Sequence, residues 1–332
     1  MIVHLKKDAD KSRIEAMAEE LKATILKNGE LTSLITSSSL KELNGEYEGL
    51  IDETFIFDTD IQLAHSDYHS GHREIKLGDN YIGGKHKNTL MISGPCSVES
   101  REQITRSAEL CVELGISVIR GGCYKPRTSP YSFQGLGLEG LKLLVEVREK
   151  YGLLINTEVK DATHVDEVIE YTDIIQIGAK AMYDHGILNK CGKTTKPVIL
   201  KRGFGTTLQE FVQAAEFMLS GGNPNIILCE RGIRTFETKS RFTLDLCGVA
   251  YLKENTNLPI ILDPSHAMGF AYGVPDLARA CMAMGVEGLL IEVHPDPSVA
   301  KSDASQQLDF DTFRKLYASL GSIATAIGRK LI

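Results

Sequence analysis

Four side chains able to hold a metal stand far apart in this 332-residue chain: Cys96 in GPCSVES, His266 in DPSH, Glu292 in IEVHP and Asp303 in AKSDAS. One thiolate, one imidazole and two carboxylates form a mixed donor set. It suits one divalent ion of Mn, Fe, Co or Zn better than Mg or Ca, which prefer oxygen-only shells. An ion so held could polarise a carbonyl or activate a water. No local spacing motif links the four, and a single Cys or His after an apolar run is more often a core group. A second set is cationic: Arg120, Lys125, Arg127, Lys180, Lys201 and Arg231. Brought to one place, these charges repel unless an anion neutralises them. Arg forks match phosphate and carboxylate oxygens, and Lys acts as a point charge. The implied ligand carries several negative charges on separate groups. In GGCYKPRTSPYSF, Pro126 fixes φ and stiffens the loop that carries Lys125 and Arg127.

Both sets are placed by the same device. From residue 89 onward, short apolar runs alternate with longer amphipathic ones. The runs are TLMISG (89–94), ISVIRG (116–121), LLINTE (153–158), DIIQIG (173–178), PVILKRG (197–203), NIILCERG (225–232), PIILDPSH (259–266) and EGLLIEVHP (287–295). Their β-branched content suits buried parallel strands, and stretches such as 101–114 and 207–219 suit the intervening helices. Eight such units predict a (β/α)8 barrel over 89–332, with an open doubly wound sheet as the other arrangement of this pattern. No GxGxxG follows the first strand, which favours the barrel. Nearly every run ends in a charged or metal-capable residue, and in a barrel those ends share one mouth.

Residues 1–70 have a different rhythm. Strands at 2–6, 23–27, 31–36 and 53–57, a helix over 9–22 and a short helix within 37–50 give the order βαββαβ of a small ferredoxin-like α+β domain. Residues 71–88 read as a linker, with a hairpin in IKLGDNYIGG. The net charge of −7 argues against nucleic acid and anionic membrane as partners, so any basic cluster is a local device. The start of the chain lacks an apolar signal core, no apolar run reaches spanning length, and the 7 scattered cysteines read as reduced thiols. A cytoplasmic protein is the expectation.

The segments GPCSVES (94–100), IRGGCYKPRTSPYSFQGLG (119–137), DIIQIGA (173–179), KPVILKRGF (196–204), IILCERGIRTFE (226–237), LPIILDPSH (258–266) and IEVHPDP (291–297) together resemble the 3-deoxy-D-arabino-heptulosonate 7-phosphate (DAHP) synthases. The likeness is to the microbial type that carries an N-terminal ferredoxin-like regulatory domain. It implies condensation of phosphoenolpyruvate with erythrose 4-phosphate at the head of the shikimate pathway of aromatic amino acid biosynthesis. It further implies Cys96, His266, Glu292 and Asp303 as metal ligands, with Lys125, Cys96 and His266 closest to the chemistry. Arg120, Lys125, Lys180, Lys201 and Arg231 would hold phosphoenolpyruvate. Lys125, Pro126, Arg127, Thr128 and Asp263 would face the aldose phosphate. An aromatic amino acid effector acting through feedback inhibition, and a homotetramer, are the family expectations.

The chain departs from the family pattern at Lys180, where Arg is common, and in AMYDHGIL (181–188) and AMGFAYGV (267–274). These departures keep open a related synthase using another aldose phosphate, such as 3-deoxy-octulosonate 8-phosphate synthase. A non-catalytic phosphometabolite sensor is the rival from another class.

Overall fold

The structure, a computed structural model, describes residues 1–125, 129 and 131–332. Pro126, Arg127 and Thr128 lie outside the described residues. The chain opens with β1 (Ile2–Leu5), α1 (Lys11–Glu20), β2 (Thr24–Asn28), β3 (Leu31–Ile35), a 3-10 turn at Gly45–Leu50 and β4 (Ile51–Phe55). The strands pair antiparallel in the order β2-β3-β1-β4, the ferredoxin-like arrangement. Met1, Val3, Leu5 and Leu34 bury one face of this sheet against Met17 and Ala18 of α1 and against Tyr47 and Leu50. Asp10 caps α1 by accepting from the Arg13 N–H. The second helix of the pattern is only the 3-10 turn. GEYEGL places two glycines in six residues and has only Tyr47 and Leu50 to bury.

A hairpin follows, β5 (Ile75–Leu77) and β6 (Asn80–Ile82). Then come eight parallel strands: β7 (Asn88–Gly94), β8 (Val118–Arg120), β9 (Leu154–Val159), β10 (Ile174–Ile177), β11 (Val198–Lys201), β12 (Ile226–Glu230), β13 (Ile260–Leu262) and β14 (Gly288–Glu292). Each pairs with the next, and β14 returns to β7, closing a (β/α)8 barrel. The outer layer comprises α2 (Arg101–Glu113), α3 (Leu138–Tyr151), α4 (Val165–Tyr171), α5 (His185–Gly192), α6 (Leu208–Ser220), α7 (Leu246–Asn255), the short α8 (Pro264–Met268), α9 (Val274–Ala283) and α10 (Phe310–Ala326). A final short strand, β15 (Lys330–Leu331), adds to β7 at its first residues.

Side chains alternate along each strand, and this parity positions the site. Leu90, Ile92, Val118, Ile174, Ile199, Ile227, Cys229, Ile261 and Leu290 fill the barrel interior. Their neighbours Met91, Ile119, Ile175, Val198, Leu200, Leu228, Ile260 and Leu289 pack outward against the helices. Counting on by twos from the inward set reaches Arg120, Gln176, Lys201, Arg231, Asp263 and Glu292, and from Leu154 it reaches Glu158. The polar residues at the C-terminal strand ends therefore enter the mouth by register. The opposite end is closed: Ile75, Leu77 and Ile82 of the hairpin, together with Ile332, join the interior cluster.

The segment between the two domains is knitted to the barrel. Gln62 and Ala64 N–H groups both donate to Glu216 Oε1 of α6, at 2.6 and 2.7 Å. Asn257 Nδ2 donates to the carbonyls of Leu63 and His65 at 2.9 and 2.8 Å. Leu26, Lys27 and Leu31 of the small sheet line a cleft with Leu219, Gly222 and Pro224 in the α6–β12 turn. That turn belongs to the N-terminal face of the barrel. The small domain thus lies at the end away from its own mouth.

Candidate active site

The mouth is built where strands end. Gly94 closes β7 at φ +146°, and a Cβ there would stand 2.2 Å from the Arg120 carbonyl oxygen, so this turn requires glycine. It delivers Cys96, whose N–H donates to Gln307 Oε1 at 2.9 Å. Asp263 caps α8, accepting from the His266 N–H at 2.9 Å with Pro264 next in the first turn. Asp303 adopts φ +46°, an uncommon backbone state that Asp tolerates better than most residues.

Donor atoms of Cys96, Glu292 and Asp303 lie within 4.8 Å of one another, the one such grouping among the described residues. The Cys96 thiol donates to Asp303 Oδ2 at 3.2 Å. His266 Nε2 faces Glu292 Oε1 at 3.5 Å, and its Nδ1 sits 2.7 Å from Asp263 Oδ2. Asp263 so orients the ring that Nε2 points toward the cluster, the usual carboxylate–histidine arrangement at a metal. The donor chemistry fits a divalent ion: one soft sulfur, two hard carboxylates and an imidazole nitrogen beside them. Burial, then Glu292, pushes the Cys96 thiol up to about 12. A thiolate there at neutral pH calls for a strong local cation. Burial opposes ionisation of Asp303 as well, yet His266, Arg241 and Lys125 hold its carboxyl at about 2. Glu292 is likewise lowered: burial works against it, and His266 and Arg120 outweigh that.

The cations meet around this cluster. Lys125 Nζ donates to Cys96 Sγ at 3.1 Å and to the Cys96 carbonyl at 2.9 Å. Arg120 Nη1 donates to Glu292 Oε1 at 2.9 Å and to the Pro95 carbonyl at 2.6 Å. Lys201 pairs with Asp263. Lys125, Lys180, Lys201, Arg231, His266 and Asp303 all line one cavity, with Glu158 on its wall. Among the described residues, Arg120 Nε and Arg231 Nη1 are buried N–H groups without a hydrogen-bond partner. Arg231 lines the cavity and Arg120 does not; an unsatisfied charged donor at the cavity wall fits an anionic ligand. Asp263 is fully buried, with both oxygens engaged by His266 and Lys201, beneath the cavity rather than on its wall. Glu158 accepts from Gln176 Nε2 at 2.6 Å.

Parity separates two neighbours that sequence reading leaves together. Lys201 and Arg231 point inward, whereas Arg202 and Glu230 point outward and pair at 3.0 Å, with Asp245 joining at 2.8 Å. Sequence reading also passes over Arg241, Phe204 and Phe242, which line the cavity. Phe242 stacks under the Arg231 guanidinium at 4.3 Å. Arg241 and Phe242 lie in a loop that no apolar run points to, and Phe204 directly follows the run at 197–203. The Lys201/Arg202 distinction was available from the period-two count.

With this geometry in hand, comparison with known proteins is informative. Residues 65–327 match the profile of the DAHP synthetase I family. A Thermotoga maritima protein named phospho-2-dehydro-3-deoxyheptonate aldolase is 47% identical over 270 residues, covering 81% of this chain and 79% of that one. A Bordetella petrii 2-dehydro-3-deoxyphosphooctonate aldolase is 32% identical over 263 residues, covering 72% and 91%. The crystal structure of the Thermotoga maritima DAHP synthase superposes with a TM-score of 0.81 at 40% identity, covering 100% of this chain and 99% of that one. The match runs through the barrel whose mouth gathers the thiol, the carboxylates and the cations, and on these grounds the chain belongs to the DAHP synthetase I family.

Proposed function

We propose that this chain is a metal-dependent DAHP synthase, joining phosphoenolpyruvate to erythrose 4-phosphate and releasing inorganic phosphate. The observation that carries this reading is the convergence of Cys96, Glu292 and Asp303 within 4.8 Å, in a mouth lined by Lys125, Lys180, Lys201 and Arg231. Family membership supplies the reaction, and the site supplies its parts. Cys96, His266, Glu292 and Asp303 would hold one divalent ion of Mn, Fe, Co or Zn, which would polarise the aldehyde oxygen or orient a hydroxyl.

The reaction joins the methylene carbon of phosphoenolpyruvate to the aldehyde carbon of the aldose. Water adds to the adjoining carbon, and the carbon–oxygen bond to phosphate breaks. Both reactants are anionic and repel each other, so the cationic wall brings them together and holds their orientation. Arg120, Lys180, Lys201 and Arg231 take the carboxylate and phosphate of phosphoenolpyruvate. Lys125 Nζ, 3.1 Å from Cys96 Sγ, stands where it can give a proton to the aldehyde oxygen as the new bond forms. Asp263 acts through its two partners, fixing His266 and Lys201. Arg127 and Thr128 would take the aldose phosphate, and Glu158 on the cavity wall would assist the water.

Residues 1–70 would carry feedback inhibition by tyrosine or phenylalanine. With the small domain at the far end of its own barrel, it would close over the mouth of a neighbouring subunit in a homotetramer. Among the described residues no helix is long and apolar enough to cross a membrane, and a cytoplasmic location is part of the proposed reading. The test offers purified protein, metal and phosphoenolpyruvate a panel of aldose phosphates while phosphate release is followed. Release with erythrose 4-phosphate is expected. Release only with arabinose 5-phosphate would select the octulosonate reaction, the activity named for the 32% identical relative. Release with none would select a sensor.

A further inference from the structure

We propose that Gln306 and Arg241 are positioning residues that set the two carboxylates of the metal site. The proposal rests on reading the cluster as a metal centre. Gln306 is fully buried. Its Nε2 donates to Glu292 Oε2 at 2.6 Å, and its Oε1 accepts from Arg241 Nη1 at 2.7 Å. A guanidinium only donates and a carboxylate only accepts, so both neighbours demand the same orientation of the amide. The other Glu292 oxygen faces Arg120 and His266. Glu292 is therefore pinned at both oxygens and cannot swing without breaking contacts on each side. A neutral amide performs this task without adding a further negative charge to the cluster.

Arg241 reaches the second carboxylate directly, with Nη1 3.7 Å from Asp303 Oδ1. Its own place is fixed by backbone pairing of the β12–α7 loop to α8. The Arg241 N–H donates to the Met268 carbonyl at 3.1 Å and the Phe242 N–H to that of Ala267 at 2.9 Å. The helix so gripped carries His266. One loop thus holds the histidine through its helix, Asp303 through an ion pair and Glu292 through Gln306. Partners of this kind, acting on metal ligands from outside the coordination shell, are worth roughly 10- to 100-fold in metal affinity.

The test is Co²⁺ binding to the full chain, measured by chelator competition and by the thiolate-to-cobalt charge-transfer band. Gln306→Ala is expected to raise the dissociation constant at least about tenfold. It should keep the charge-transfer band at saturation, because Cys96 is untouched, while the ligand-field bands move. Arg241→Ala is expected to weaken binding less, and Arg241→Lys to recover part of that loss through one retained donor. Should Gln306→Ala fail to fold, Arg241→Ala at the solvent-facing rim carries the test alone. A parent chain that binds no Co²⁺ overturns the metal reading itself. A parent that binds, with folded variants that bind as tightly and with unchanged bands, overturns the positioning proposal alone.

Discussion

Glu216 is the group whose titration should be visible at the domain junction. Burial raises its carboxyl from 4.5 to about 7, against the pull of the Ala64 and Gln62 N–H groups and of Arg73. An acid raised in the folded state stabilises most at low pH. The contribution is complete below pH 4.5, where both states are protonated, and is lost as pH climbs through about 7. At about 1.4 kcal/mol per pH unit, that interval corresponds to an upper limit of about 3.4 kcal/mol. Glu216 keeps some solvent access, so about half is realistic, or on the order of tenfold in a local opening equilibrium. The amides of Gln62 and Ala64 report it, because both donate to Glu216 Oε1. Hydrogen exchange of these amides, corrected for intrinsic rates, should lose about tenfold protection between pH 5 and pH 8. In Glu216→Gln the amide oxygen still accepts both bonds and nothing titrates, so protection should stay level. A parent without this slope, or a glutamine variant with the same slope, would show that the carboxyl does not govern docking of the segment.

Three further outcomes are expected. Lys180→Arg should lower the Michaelis constant for phosphoenolpyruvate, since a fork grips phosphate more directionally than a point charge; an unchanged constant in steady-state kinetics counts against Lys180 at that anion. Stripping the protein with a strong chelator should abolish phosphate release, and adding back Mn²⁺, Co²⁺ or Zn²⁺ should restore it; full activity after exhaustive chelation would refute the metal role. Gly178→Ala would set a Cβ 2.4 Å from Glu158 Oε1. The displaced carboxylate should reduce kcat, with a stability loss of about 1–3 kcal/mol in denaturant unfolding, and wild-type kcat would remove Glu158 from the reaction.

The barrel was legible because each buried strand is a short β-branched run and each helix has its own period. The ferredoxin-like order was legible too, from the turn at Asn28-Gly29 and the alternation around it. β15 was not, because two residues carry no pattern; only its pairing with Asn88 and Thr89 makes it a strand. Cys96, His266, Glu292 and Asp303 could be nominated from donor chemistry, but their meeting depends on barrel closure between β14 and β7, which brings Glu292 level with Gly94. Arg241 and Gln306 were illegible for a different reason. Their roles rest on long-range hydrogen bonds between loops, and nothing in the local sequence of either loop encodes the partner. Lys201 against Arg202 marks the middle ground, where residue type is ambiguous and strand parity decides.

The hairpin seated under the barrel has a kinetic consequence. With the interior filled by its own apolar side chains and Ile75, Leu77 and Ile82 packed beneath them, the described residues leave the mouth at the top as the way in. A vessel with one door imposes a queue. Whichever reactant lies deeper must enter before its companion, and the last molecule to arrive sits across the exit of the first. Product inhibition patterns of a compulsory sequence, rather than of random entry, are the signature such an architecture writes into rate data.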